Sequence, residues 1–147
     1  MKIIVTGAIG HIGSYLIRDL GVFFPKSNIV MIDNMMTQRF SSLFHLPLSA
    51  NYSFIEGDVS QMNLKSVFLG ADIVIHLAAI TDAAGSIDKA EELEATNFKS
   101  TLRVAEACIE ADASLIALSS TSVYGTQKEQ VDENCDASEL QPQSPYA

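Results

Sequence analysis

The sequence predicts an α/β protein built on a doubly wound parallel sheet. Three observations carry this. Short apolar runs rich in β-branched residues recur at 2–6, 28–32, 52–55, 72–76 and 115–118. These runs do not alternate strictly between apolar and polar residues, as expected of strands covered on both faces. Helical patterns separate them, and turn residues close their ends.

Residues 2–6 read as a buried strand followed by glycines, and 7–13 as a turn. Residues 12–20 read as a helix with Ile12, Leu16, Ile17 and Leu20 on one face, closed by Gly21. The second strand, 28–32, ends at Asp33. The stretch 35–50 is ambiguous and holds a short helix near 40–45, stopped by Pro47. A third strand spans 52–55, and 64–69 reads as the end of a short helix. The fourth strand, 72–76, runs on into Leu77, Ala78 and Ala79. Residues 90–111 form a long helix with Leu93, Phe98, Leu102, Ala105 and Ile109 among its apolar positions. The fifth strand, 115–118, leads into Ser119-Ser120-Thr121-Ser122. Residues 126–147 are polar, acidic and without a period, and read as a loop close to an active site. The chain stops at Tyr146-Ala147 with no terminating structure, so a C-terminally truncated sheet is expected.

The length of 147 residues suits one domain with a real core. Apolar residues make up 48 % and charged residues 18 %, which excludes intrinsic disorder. The net charge of -9 argues against a nucleic-acid or anionic-membrane partner. Residues 1–70 hold five basic and four acidic side chains, whereas 71–147 hold four and fourteen. The first half is therefore close to neutral. No apolar stretch reaches the length of a membrane span. Two cysteines without metal-ligand spacing fit a reducing, cytoplasmic setting, with Cys108 a buried thiol. No metal site is expected.

Gly7, Gly10 and Gly13 stand three apart between the first strand and the first helix. Such a turn lets the backbone approach a pyrophosphate, which the helix N-terminus then holds. The spacing is G-x-x-G-x-x-G, and no Gly-Lys-Ser or Gly-Lys-Thr follows to make a P-loop. The plainer reading is a turn that only needs compact residues. Asp33 lies 20 residues beyond Gly13, where a carboxylate accepts bonds from both hydroxyls of an adenosine ribose. It would repel a 2′-phosphate, which favours NAD; Arg39 is the nearby cation that weakens this preference. Asp33 could instead be a strand-end turn residue. Asp58 reads either as an acceptor for an adenine amino group, beside the Val59 N–H, or as a helix N-cap. His11 could add a donor near the phosphates, but reads better as merely tolerated in the turn, with no catalytic role. His76 reads better as a packed, hydrogen-bonded histidine than as a catalytic one.

Ser119 and Ser120 follow the fifth strand, at the edge where open α/β sheets hold ligands. No G-x-S-x-G elbow is present, which argues against a hydrolase. Tyr146 is a candidate base, given a cation near enough to lower its pKa.

Together these motifs resemble the N-terminal, Rossmann-type part of the NAD-dependent epimerase/dehydratase family, within the extended short-chain dehydrogenases/reductases. The resemblance covers essentially all 147 residues. It rests on the three glycines, Asp33-Asn34, Asp58-Val59, His76-Leu77-Ala78-Ala79, Thr96-Asn97, the segment 119–125 and the approach to Tyr146. It implies a cofactor-binding set of Gly7, Ile9, Gly10, His11, Ile12, Gly13, Asp33, Asn34, Asp58, Val59, Leu77, Ala78, Ala79, Asn97 and Ser119. It implies Ser120 as the hydroxyl that contacts the sugar and Tyr146 as the catalytic base. A lysine at position 150, beyond the last residue, would lower the tyrosine pKa.

The implied activity is that of a nucleotide-sugar epimerase using transient hydride transfer to NAD. An NAD(P)-dependent carbonyl or keto-sugar reductase is the alternative, and a regulator that senses NAD without turnover is a third reading. Thr121 and Ser122 stand where dehydratases of the family usually carry Asp-Glu, which disfavours dehydration. Without a C-terminal substrate domain, the 147 residues are expected to be inactive alone. The helix 90–111 is the candidate homodimer face, or merely a cover for the sheet.

Overall fold

The computed structural model describes residues 1–81, 90–125 and 132–142. The elements run β1 (Lys2–Thr6), α1 (Gly13–Phe23), β2 (Asn28–Asp33), β3 (Asn51–Glu56), α2 (Leu64–Phe68) and β4 (Ile73–His76). Then follow α3 (Ala90–Leu93), a π-helical segment (Glu94–Lys99), α4 (Ser100–Ala111) and β5 (Ser114–Ala117). Short 3-10 turns occupy Phe40–Leu43, Thr121–Tyr124 and Ala137–Glu139.

All strand pairs are parallel, in the order β3-β2-β1-β4-β5. The order reverses between β1 and β4, so the loops leaving these two strands diverge and open a crevice at their carboxyl ends. Strand pleating explains the continuous apolar runs. Ile3 and Val5 pack with Ile17, Leu20 and Ile75 on the α1 face. Ile4 points the other way, toward Phe68, Val74 and Val104 on the face covered by α2 and α4. Both faces of β1 are thus sealed, as a central parallel strand requires. Lys2 extends beyond the sheet, its Nζ donating to the Val67 and Leu69 carbonyls at 2.7 and 2.8 Å. It caps the C-terminus of α2.

Four differences from the sequence expectation bear on packing and on the site. First, α1 does not stop at Gly21 but continues to Phe23, closing through the Phe24 N–H to the Leu20 carbonyl. Gly21 serves packing instead. A Cβ there would lie 1.8 Å from the Tyr52 hydroxyl, which donates to the Ile17 carbonyl at 3.0 Å. Gly21→Ala should therefore cost about 1–2 kcal/mol, despite the roughly 1 kcal/mol that alanine gains inside a helix. In a Tyr52→Phe background most of that cost should vanish. Urea midpoints check this; a Gly21→Ala protein more stable than the parent would refute it. Second, α2 is a complete short helix rather than the end of one, because the Asn63 side chain caps it at the Ser66 N–H. Third, the helix over 90–111 is interrupted by the π segment Glu94–Lys99. Fourth, β5 begins and ends one residue earlier than expected, and only part of it is covered. Leu115 packs on the core, whereas Ile116 is 51 % and Leu118 61 % exposed.

Of the expected loop 126–147, residues 132–142 are described and carry the last 3-10 turn. Residues 126–131 and 143–147, and with them Tyr146, lie outside the described residues. Among the described residues no helix is long and apolar enough to cross a membrane.

Candidate functional site

The crevice at the carboxyl ends of β1 and β4 is shaped by the glycine turn. Gly7 holds φ +65°, and a Cβ there would meet the Leu77 and Ala78 backbone at 2.7 Å. At Gly13 a Cβ would come within 2.3 Å of the Gly7 carbonyl oxygen. Both glycines therefore let backbone approach backbone. The first turn of α1 has no side-chain cap and no acidic residue. The Ser14, Tyr15 and Leu16 N–H groups bond back to the Gly10 and Ile12 carbonyls, so the positive end of the helix dipole, at the His11–Gly13 backbone, is what faces an anion.

Asp33 closes β2 with its carboxylate turned toward this turn and is 8 % exposed. Oδ2 accepts the Ile9 N–H at 3.2 Å and Oδ1 accepts the Met35 N–H at 2.9 Å. Each oxygen retains a lone pair for a further donor. Asn34 caps the next turn through the Met36 N–H at 3.2 Å. Asp58 accepts the Ser60 N–H at 2.8 Å and so caps a turn; the helix N-cap that the sequence also allowed falls to Asn63. Val59 beside it is buried in the core.

On the other side of the crevice, His76 is buried at the end of β4. Its Nδ1 lies 2.7 Å from the Thr6 hydroxyl and its Nε2 3.2 Å from the Thr101 hydroxyl. Burial pushes its pKa down. The packed, hydrogen-bonded histidine of the sequence reading is what the geometry shows. Asn97, in the π segment, grips the loop after β4. Its Oδ1 accepts the Ile80 N–H at 2.8 Å and its Nδ2 donates to the Ile80 carbonyl at 2.9 Å. Single π turns inside helices frequently mark functional positions. Ser120 caps the 3-10 turn Thr121–Tyr124, its Oγ accepting the Ser122 N–H at 3.1 Å.

Two connected lobes make up the crevice, sharing Gly7, Gly10 and Leu77–Ala79 in their walls. The smaller, about 310 Å³, is walled by Asp33, Asn34, Asp58 and Val59. The larger, about 940 Å³, is walled by His11, Ile12, Gly13, Asn97, Ser119 and Ser120. Ile9 is fully buried behind the turn and contributes through its N–H to Asp33 rather than to either wall. Ile80 and Thr81, the start of a segment expected to help form the pocket, line the crevice, and sequence reasoning missed Thr37 and Thr101 beside them. Thr37 stands in the stretch read as ambiguous. Thr101 sits one helical turn after Asn97, and that i, i+4 spacing could have found it. Arg39, noted only for its charge, lines the larger lobe beside the glycine turn. Among the described residues no group of three or more His, Cys, Asp or Glu is placed to hold a metal ion.

A 3-2-1-4-5 parallel sheet with a glycine turn at its switch point defines a Rossmann-type α/β domain. The chain belongs to the NAD dependent epimerase/dehydratase family, whose model matches residues 3–147. It is 34 % identical to a Bacillus subtilis (strain 168) protein named uncharacterized UDP-glucose epimerase YtcB, over 99 % of this chain and 47 % of that protein. It is 33 % identical to the dTDP-D-glucose 4,6-dehydratase of Mus musculus, over 99 % of this chain and 42 % of the enzyme. Among solved structures it resembles the UDP-glucuronic acid 4-epimerase of Bacillus cereus in complex with UDP-glucuronic acid and NAD. That match has a TM-score of 0.88 and 31 % identity, covering 99 % of this chain and 48 % of the other. The chain thus spans just under half the length of these relatives.

Proposed function

We propose that this chain is the dinucleotide-binding part of an NAD-dependent nucleotide-sugar epimerase. The observation that carries the reading is the crevice itself. Its smaller lobe ends on the Asp33 carboxylate, its middle on an uncapped helix N-terminus, and its larger lobe on Asn97, Ser119 and Ser120. Those three surfaces suit a ribose, a diphosphate and a nicotinamide end in that order. The cradle fits the group chemically: Gly7 and Gly10 line both lobes without a side chain, and Asp33 keeps acceptor capacity. The Bacillus cereus epimerase, solved with NAD and UDP-glucuronic acid, supports the cofactor and the substrate class.

Bound NAD would supply reversible hydride acceptance. The chain's own residues supply position and proton handling. Asp33 would accept the ribose hydroxyls, and the Gly10–Gly13 backbone would meet the phosphates. Asp58 and Val59 would border the adenine. The Ser120 hydroxyl would hydrogen-bond a sugar oxygen, and Tyr146 would take the proton from the sugar hydroxyl. Thr121 and Ser122 offer no carboxylic acid to protonate a leaving hydroxyl, which supports epimerisation over dehydration. Phe98, Leu102 and Ile109 remain exposed along the helix 90–111, in keeping with a homodimer.

Calorimetric titration tests the reading. NAD should bind, and NADP at least ~10-fold more weakly, because its 2′-phosphate would face the Asp33 carboxylate. A folded chain that binds neither would refute the proposal. In the enzyme with its substrate-binding portion, Tyr146→Phe should lower turnover by about 10²–10⁴-fold with NAD affinity kept. NADH consumed in step with product would move the reading to a reductase.

A further inference from the structure

One buried imidazole bridges the two sides of the larger lobe, and the hydrogen bonds around it determine where its proton sits. A hydroxyl has one proton to give and two lone pairs to fill. The Thr6 hydroxyl oxygen accepts the Ala78 N–H at 3.3 Å and shares the Leu77 N–H with the Thr6 carbonyl, which lies closer, at 3.1 against 3.3 Å. Donors thus approach that oxygen from the loop, and its own proton turns to His76 Nδ1, 2.7 Å away. Nδ1 is therefore an acceptor and bare. On the other edge, the Thr101 hydroxyl donates to the Asn97 carbonyl at 2.5 Å. Its oxygen is left to accept, so the Nε2 proton of His76 points there, across 3.2 Å. The chain of donors runs in one direction, from the Leu77–Ala78 backbone through Thr6, His76 and Thr101 to the backbone of Asn97.

We infer that His76 is a positioning residue locked in the Nε2–H tautomer, which holds the loop after β4 and the π segment in the register that NAD binding needs. This rests on the dinucleotide reading above. Leu77 and Ala78 form walls of both lobes, and Asn97 holds Ile80 of the same loop. The imidazole thus fixes both ends of one strip of the cofactor crevice. A proton added to Nδ1 would confront the Thr6 hydroxyl proton. Thr6 would have to turn its proton away, and the imidazolium would compete with the Ala78 N–H and the shared Leu77 N–H for its oxygen. Protonation works against the ordered strip.

Acid should therefore loosen the crevice. Burial lowers the His76 pKa, so between that lowered value and the ordinary 6.5 the unfolded chain binds a proton the folded chain refuses. The stabilisation from neutral His76 is complete above about pH 6.5 and is lost as pH falls toward the folded value. From β1 the imidazole meets Thr6, from β5 its register partner is Ala117, and from the helix it meets Thr101; none is ionisable. Among the described residues the charged and titratable groups sharing its cavity are His11, Arg39 and Glu94, and Glu94 is paired with Lys99 at 3.3 Å.

Long-range ¹H–¹⁵N correlation spectra of the histidine-labelled chain read the tautomer directly, with the His76 signals assigned by their loss in His76→Leu. The expected pattern is a bare Nδ1 and a protonated Nε2 from pH 8 to below 6.5. A protonated Nδ1 in that range overturns the lock. NAD titration reads the positioning role. His76→Leu and Thr101→Val should each weaken NAD by about 10-fold, the cost of one or two misplaced hydrogen bonds. His76→Gln, which keeps a donor toward Thr101, should recover part of the loss. The decline of NAD affinity below pH 6.5 should disappear in His76→Leu. Should His76→Leu fail to fold, Thr101→Val decides alone. Unchanged affinity in Thr101→Val overturns the role. If the parent chain binds no NAD, the dinucleotide reading and this role fall together, while the spectra still decide the tautomer.

Discussion

Gly13→Ala is expected to cost ~3 kcal/mol or more in folding stability and to abolish dinucleotide binding. The added Cβ would lie 2.3 Å from the Gly7 carbonyl oxygen, 2.7 Å from that of Ala8 and 2.8 Å from the Ala8 carbonyl carbon. All three atoms are backbone, so no side chain can swing aside. The turn must open or α1 must lift off the sheet. Lifting α1 would disturb Ile17 and Leu20, which are buried against Ile3 and Val5. Opening the turn would displace Gly7, which packs so near the Leu77–Ala78 backbone that a Cβ there would lie 2.7 Å from it. Gly57→Ala is the control. There a Cβ would meet only the Met62 side chain, at 3.5 Å, and stability should change by no more than about 0.5 kcal/mol. Urea unfolding of the two variants measures the contrast. Equal effects would show that the turn is not constrained by close approach.

The second large effect is expected at Asp33. Asp33→Ala removes the acceptor of two backbone N–H groups, those of Ile9 and Met35, and both residues are buried. Leaving a buried donor unpaired costs about 1–3 kcal/mol, so for the two donors a total loss of roughly 2–6 kcal/mol is expected. NAD affinity should fall further, by about 100-fold, because the ribose hydroxyls lose a charged acceptor. Asp33→Asn separates the two contributions. Its single carbonyl oxygen keeps one of the N–H partners, so the stability loss should be about half. Without the charge, discrimination against NADP should also weaken. Denaturation midpoints and calorimetric titrations with NAD and NADP give the two readouts. An Asp33→Asn protein that discriminates as well as the parent would remove the carboxylate from the specificity argument.

Where the sequence was readable, the reasons are local. The strand at 2–6, the glycines behind it and Asp33 at the end of the next strand announce themselves within a few residues of one another. Residue types alone locate the crevice, because parallel strands and their connecting helices force the turn to the sheet's carboxyl edge. Where the reading failed, the cause lay far along the chain. Gly21 looks like a helix stop until Tyr52, 31 positions later, is seen resting on it. His76 and Thr6 are separated by 70 residues, so nothing near either discloses the bond between them. Thr37 and Arg39 reach the crevice from a stretch without periodicity. The π segment is invisible for a subtler reason: its apolar spacing differs little from that of an ordinary helix, and only the backbone hydrogen bonds reveal it.

That segment has a consequence of its own. A π turn holds one surplus residue relative to an α-helix, and each residue rotates the following side chains by about 100°. Deleting one position between Glu94 and Lys99 would let Ala90–Ala111 relax into an uninterrupted α-helix with a tidier ladder of backbone bonds. The same deletion would swing Asn97 and Thr101 out of phase with each other's partners, stranding Ile80 on one side and His76 on the other. The irregularity is a phase-shifter. It lets a single rod face the sheet with Val104 and Cys108 while turning Asn97 to the crevice, and straightening it would exchange that dual alignment for local regularity.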